Sequence, residues 1–136
     1  MKSVTPYLNF NGDCRDAMTF YKNCLGAELQ LTPFMDDKGQ PLSDPSARIM
    51  HSRILVGGQP ILQASDTQPG DDVTIGNNVQ VCIDCETVDE IDRLFAAFAK
   101  GSQIRLPLDT MFWGARFGML TDPYGVLWMF NCYLNK

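Results

Sequence analysis

A chain of 136 residues with 45% apolar side chains is long enough to bury a sizeable core, as one domain or as two small halves sharing it. Its net charge of −5 is spread along the chain without a Lys/Arg cluster, which argues against a nucleic-acid partner and for solubility. The opening MKSVTPYLNF lacks the apolar stretch of a signal peptide, and no apolar run approaches the roughly 20 residues of a membrane helix, so the expectation is a soluble, cytoplasmic protein with no membrane contact.

In chain order, Val4–Phe10 reads as a short strand broken by Asn11-Gly12-Asp13. CRDAMTFYKNCLG then places Ala17, Phe20, Tyr21, Cys24 and Leu25 at i, i+3, i+4, i+7 and i+8, one face of a helix that Gly26 ends. Three strand-like runs follow, Glu28–Phe34, Arg48–Val56 and Pro60–Ala64, with Gly57-Gly58 as a turn. Met35–Ala47 and Asp66–Gly76 read as polar loops.

The second half repeats the arrangement. A strand over Val79–Asp84 precedes ETVDEIDRLFAAFAKG, where Thr87 and Glu90 form a capping box and Ile91, Leu94, Phe95, Phe98 and Ala99 recur at the same five spacings before Gly101. Strands over Gln103–Leu106, Ala115–Leu120 and Val126–Asn131 follow, the last two joined by Asp122-Pro123-Tyr124-Gly125, a type I turn pattern. The chain is therefore read as two βαβββ modules, about 1–66 and 77–136, in one α+β domain.

Each helix stripe needs an apolar sheet face to cover it. Val79, Val81 and Ile83, and Val126, Trp128 and Phe130, supply such faces. The opposite parity carries Asn78, Gln80 and Cys82, then Leu127, Met129 and Asn131. Those mixed faces are expected to line the inner side of two curved mixed sheets, forming a cup.

A doubled βαβββ unit with PYLNFNGDCRDAMTFYKNCLGAEL at its start, HSRILVGGQPILQASD in its middle and FWGARFGMLTDPYGVLWMFN at its close resembles the vicinal oxygen chelate superfamily, the glyoxalase/bleomycin resistance/dioxygenase fold, and within it the PhnB-like proteins. That subfamily often carries the label 3-demethylubiquinone-9 3-methyltransferase. The resemblance implies a homodimer. It also implies where a divalent metal would sit in metal-dependent members: one ligand on the first and one on the last strand of each half. Those positions fall at Asn78 and Met129, near Thr5 or Pro6, and near Leu62 or Gln63. Neutral amides and a thioether do not replace the carboxylates and imidazoles a hard or borderline divalent ion requires, so no metal site and no cofactor are expected. A metal-free cup suits an uncharged or aromatic small molecule. The alternative is a divalent-metal lyase, isomerase or dioxygenase whose ligands would come from His51, Gln63, Asp84 and Glu86.

The candidate ligand-binding residues are accordingly Asn78, Gln80, Gln63, Met129, Trp113, Arg116 and His51. His51, the single histidine, has either a general-base role or a structural one. Phe112-Trp113-Gly114, with Arg116 and Phe117, forms either an aromatic mouth with an anion-pairing Arg or ordinary hairpin packing. The methionines make such a cavity deformable or simply fill core. Cys82-Ile83-Asp84-Cys85 matches C-x-x-C, but in a strand its two thiols face opposite sides about 10 Å apart, so a redox or zinc role is not expected. Five cysteines, odd in number and widely spaced, are expected to be reduced. A methyltransferase would need a glycine-rich turn after its first strand and a different strand order, and neither is present.

Overall fold

The computed structural model describes residues 1–44 and 46–134, so Pro45 of the expected loop 35–47 lies outside the described residues. The chain divides into two compact units, Met1–Thr74 and the segment from Ile75 onward. In the first, β1 (Tyr7–Phe10), α1 (Cys14–Leu25), β2 (Glu28–Pro33), β3 (Ile49–Val56) and β4 (Gln59–Asp66) build a sheet of order β1-β4-β3-β2. In the second, β5 (Val81–Asp84), α2 (Val88–Ala99), β6 (Gln103–Met111), β7 (Ala115–Thr121) and β8 (Leu127–Tyr133) build a sheet of order β5-β8-β7-β6. The first strand of each unit pairs parallel with the last and the remaining pairs are antiparallel, so the inferred duplication is a duplication of topology.

In the first unit α1 lies against β2, β3 and β4. Its buried stripe is Cys14, Ala17, Met18, Tyr21 and Cys24, rotated from the expected one: Met18 is fully buried, whereas Phe20 and Leu25 are half-buried. Gly26 closes the helix in the left-handed conformation at φ 64°, as its position required. The N-terminus is capped from a distance. Asp13 makes no side-chain capping bond. Buried Asp66, at the end of β4, instead accepts from the backbone N–H of Gly12 (2.7 Å) and Cys14 (3.1 Å) through Oδ1 and from that of Ile49 (2.8 Å) through Oδ2. One carboxylate thus ties a helix start to two strands.

In the second unit α2 begins with the expected cap, Thr87 Oγ1 accepting from Glu90 N at 3.1 Å. It lies against β6, β7 and β8 and buries Ile91, Leu94, Phe95 and Phe98. Phe98 packs against Trp128 and Phe130 with ring centroids 4.8 and 5.2 Å apart. The hairpin turn between β7 and β8 is held by Asp122, whose Oδ1 accepts from Tyr124 N and Val126 N and whose Oδ2 accepts from Trp128 Nε1 at 2.9 Å.

Strand limits differ from expectation at several ends, among them the start of β1, at Tyr7 instead of Val4, and the two that follow. β5 starts at Val81, and Val79, assigned above to the helix-facing core, is 73% exposed. β6 runs past Leu106 to Met111 despite Pro107. It is the last strand of its sheet, and its register shifts between Leu106 and Asp109, which is where a proline without a donor is tolerated.

Candidate functional site

Because side chains alternate along a strand, the face of each sheet turned away from its helix can be read from the pairings. In the first unit Leu62, Ala64 and Asp66 of β4 are buried. Gln63 therefore projects to the other face, beside its register partners Tyr7 of β1 and Arg53 of β3. Thr5 joins them just ahead of β1, its Oγ1 accepting from Gln63 Nε2 at 2.8 Å. At its other end Gln63 Oε1 meets His51 Nε2 at 2.9 Å. The Tyr7 ring lies 6.2 Å from that of His51, the planes tilted by 31°, and Arg53 Nε donates to Gln30 Oε1 at 2.7 Å. The open face of this unit is polar and internally hydrogen-bonded.

The second unit presents the same positions with different chemistry. Leu8 pairs with Ala64, and Ile83 pairs with Phe130, all on the helix side, which makes Gln63 equivalent to Met129 and Thr5 equivalent to Gln80. Cys82, Met129 and Met119 lie side by side on three adjacent strands, and Asp84, Asn131, Phe117 and Asp109 form the next row. Asn131 Nδ2 donates to Asp84 Oδ1 at 3.1 Å. Arg105 Nη2 donates to Gln80 Oε1 at 2.7 Å and to the Leu120 carbonyl at 3.0 Å. Where β6 turns into β7, Trp113 meets Phe117 edge-on at 5.6 Å and Phe112 meets Trp113 at 5.2 Å. Phe112 is 98% and Trp113 47% exposed, so the aromatic chain leads from the open face into solvent.

The residues singled out in the sequence therefore divide by place. Gln63 and His51 are joined directly in the first unit, and Gln80, Met129 and Trp113 belong to the open side of the second. Asn78 is exposed in the segment before β5. Arg116 shares the parity of buried Gly118 and Leu120, and its Nε pairs with Asp92 Oδ1 of α2 at 2.6 Å, so its guanidinium is engaged on the helix side. Cys82 is exposed and Cys85 buried, as strand parity required, and burial pushes the Cys85 thiol up to about 12, which keeps it protonated and a poor nucleophile. Sequence reasoning did not select Tyr7 or Arg105; it named Thr5 only beside a possible metal-ligand position and Phe117 only as part of the aromatic mouth. Tyr7 was findable, two residues beyond Thr5 and so of like parity; Arg105 was not, because the irregular β6 register hides its face.

The same geometry tests the metal that the fold implies. Leu62 faces α1, leaving Gln63 as the open-face residue of the last strand, and the register places Gln80 opposite Thr5 in the repeat. The four positions hold a hydroxyl, two amides and a thioether. Gln63 already directs its carbonyl oxygen at His51. This set does not fit a divalent ion of the hard or borderline kind. Among the described residues no group of three or more His, Cys, Asp or Glu side chains could hold one.

Comparison with known proteins agrees with this architecture. Residues 5–130 match the family described as Glyoxalase/Bleomycin resistance protein/Dioxygenase superfamily. The chain is 30% identical to protein YjdN of Escherichia coli (strain K12), covering 94% of this chain and 93% of that one. Its structure is similar to that of PA1353 from Pseudomonas aeruginosa, with 39% identity, a TM-score of 0.83 and 98% of both chains covered. It is also similar to the PhnB protein of Bacillus cereus, with 25% identity, a TM-score of 0.77 and 96% and 99% coverage. The latter carries the 3-demethylubiquinone-9 3-methyltransferase label. Among the described residues, the two four-stranded mixed sheets are not the doubly wound parallel sheet on which a Rossmann-type methyltransferase builds its cofactor site.

Proposed function

Because this chain belongs to the glyoxalase/bleomycin resistance/dioxygenase superfamily, yet has neutral groups where metal-dependent members carry ligands, we propose that it binds a small uncharged or aromatic molecule without a metal. The observation that carries the reading is the aromatic chain Phe112–Trp113–Phe117. It is solvent-reachable at one end and lies at the other beside Asn131 on the open face. Edge and face of an exposed indole are a stacking surface for a flat ring. The half-buried Met119 and Met129 beside it supply a polarizable, adaptable floor. Gln80 in this unit, held by Arg105, is the polar contact that would orient the molecule; Gln63 and His51 are the polar groups that the open face of the first unit offers by itself.

The reading extends to a cytoplasmic homodimer. The resemblance to the family supports the dimer, and a free cysteine on the surface, Cys82, suits a reducing compartment. Arg116 has no part in the ligand contacts, being held by Asp92.

A thermal-shift screen of flat aromatic and quinone-like compounds tests the proposal. A compound at 100 times its Kd is expected to stabilise the protein by about 2.7 kcal/mol. Trp113→Ala, which alters a half-exposed side chain, is expected to remove most of that shift while leaving the unliganded midpoint nearly unchanged. A hit whose shift survives Trp113→Ala in full would count against the aromatic entrance.

A further inference from the structure

The hydrogen bonds around Gln63 have a direction, and it determines what His51 can offer a ligand. Gln63 spends its only donor group, Nε2, on Thr5 Oγ1 at 2.8 Å. The end left for His51 is Oε1, which can only accept, and it lies 2.9 Å from His51 Nε2. With the amide in this orientation, Nε2 carries the proton. A neutral imidazole has a single N–H, so Nδ1 carries a lone pair. Among the described residues, the buried side-chain nitrogens and oxygens without a partner are Nε of Arg15 and Nε of Arg105. His51 Nδ1 has no hydrogen-bond partner among those residues either, and it is not one of these buried atoms, so it is reachable from solvent.

We propose that His51 Nδ1 is the acceptor for a ligand O–H or N–H, and that the site selects a hydroxylated aromatic ring over the same ring capped as an ether. Thr5 and Gln63 are positioning residues. Thr5 sets the direction of the Gln63 amide, and the amide sets the tautomer of the imidazole. Tyr7, 45% exposed and 6.2 Å from the imidazole, flanks the acceptor with an aromatic surface. The inference rests on the reading above that an open face takes a ring-bearing molecule; it adds the acceptor that the first unit offers such a ring.

The probes are 2-naphthol and 2-methoxynaphthalene, alike in ring and differing in the donor. Wild-type protein is expected to bind the naphthol about tenfold more tightly, the equivalent of one hydrogen bond to a well-placed acceptor. His51→Phe keeps a flat ring and loses the acceptor, and the ratio is expected to fall to about one. Long-range proton–nitrogen NMR of histidine-labelled protein is expected to show the Nε2–H tautomer in the wild type and a mixture in Gln63→Leu. Equal binding of the two naphthalenes by the wild type would overturn the inference and leave the ring-binding reading standing. Failure of both to bind would overturn both. An Nδ1–H tautomer would overturn the inference whatever the affinities.

Discussion

Asp66→Ala is expected to destabilise the first unit by roughly 3–5 kcal/mol, the largest effect of any single polar change in it. The buried carboxylate accepts from three backbone N–H groups, of Gly12, Cys14 and Ile49, at 2.7–3.1 Å. Removing it takes the acceptor from all three, and a buried donor without an acceptor costs more than a hydrogen bond contributes when formed. The loss is a large fraction of the about 5–15 kcal/mol that holds a typical domain together. Asp66→Asn makes the comparison informative. The amide keeps one oxygen, but its NH₂ must then face either Ile49 N–H or the Gly12 and Cys14 pair, donor against donor. It is expected to recover only part of the loss. Urea denaturation followed by circular dichroism measures both, and an alanine variant within 1 kcal/mol of wild type would show that Asp66 does not hold the helix start.

In the second unit the corresponding change is Trp128→Ala, expected to cost about 3–5 kcal/mol through the cavity it leaves. The indole is 2% exposed, packs 4.8 Å from Phe98 and donates to Asp122 Oδ2 at 2.9 Å. Trp128→Phe preserves most of the ring contact and deletes that donor, and is expected to cost about 1–2 kcal/mol less than alanine does. The same denaturation experiment reads the pair. Equal losses for alanine and phenylalanine would place the indole's contribution in its hydrogen bond instead of its bulk.

The architecture was legible because local signals and the global repeat agreed. Thr87 with Glu90, Gly26, Gly57-Gly58 and Asp122-Pro123-Tyr124-Gly125 each marked a boundary through turn or cap chemistry that needs only neighbouring residues. What was not legible depends on partners distant in sequence. The cap of α1 comes from Asp66, 52 residues beyond Cys14, while Asp13 at the N-cap position makes no side-chain capping bond. Apolar periodicity put Val79 in the core, but the strand begins two residues later and leaves it in water. For the site, the sequence left Leu62 and Gln63 both open, and the burial of Leu62 is what assigns the open face to Gln63; Arg116, read as a mouth residue, lies with Gly118 and Leu120 on the helix face. Its partner Asp92, on a different element, is what a one-dimensional reading cannot supply. The direction of the Thr5–Gln63–His51 bonds is likewise a property of two strands and the segment ahead of β1 brought together.

The substitution of neutral side chains at the ancestral ligand positions is the claim from which the functional reading follows. Thr5, Gln63, Gln80 and Met129 offer a hydroxyl, two amides and a thioether, a set without the anionic oxygens or imidazoles that divalent ions of this fold require. Native mass spectrometry of untagged protein, mixed with excess Mn²⁺, Ni²⁺ or Zn²⁺ and then desalted, tests this most directly. The expected spectrum shows two chains without a retained ion, and a single-chain mass would remove the dimer alone from the account. One divalent ion retained per chain would contradict the metal-free site and return the protein to the metal-dependent chemistry of its superfamily.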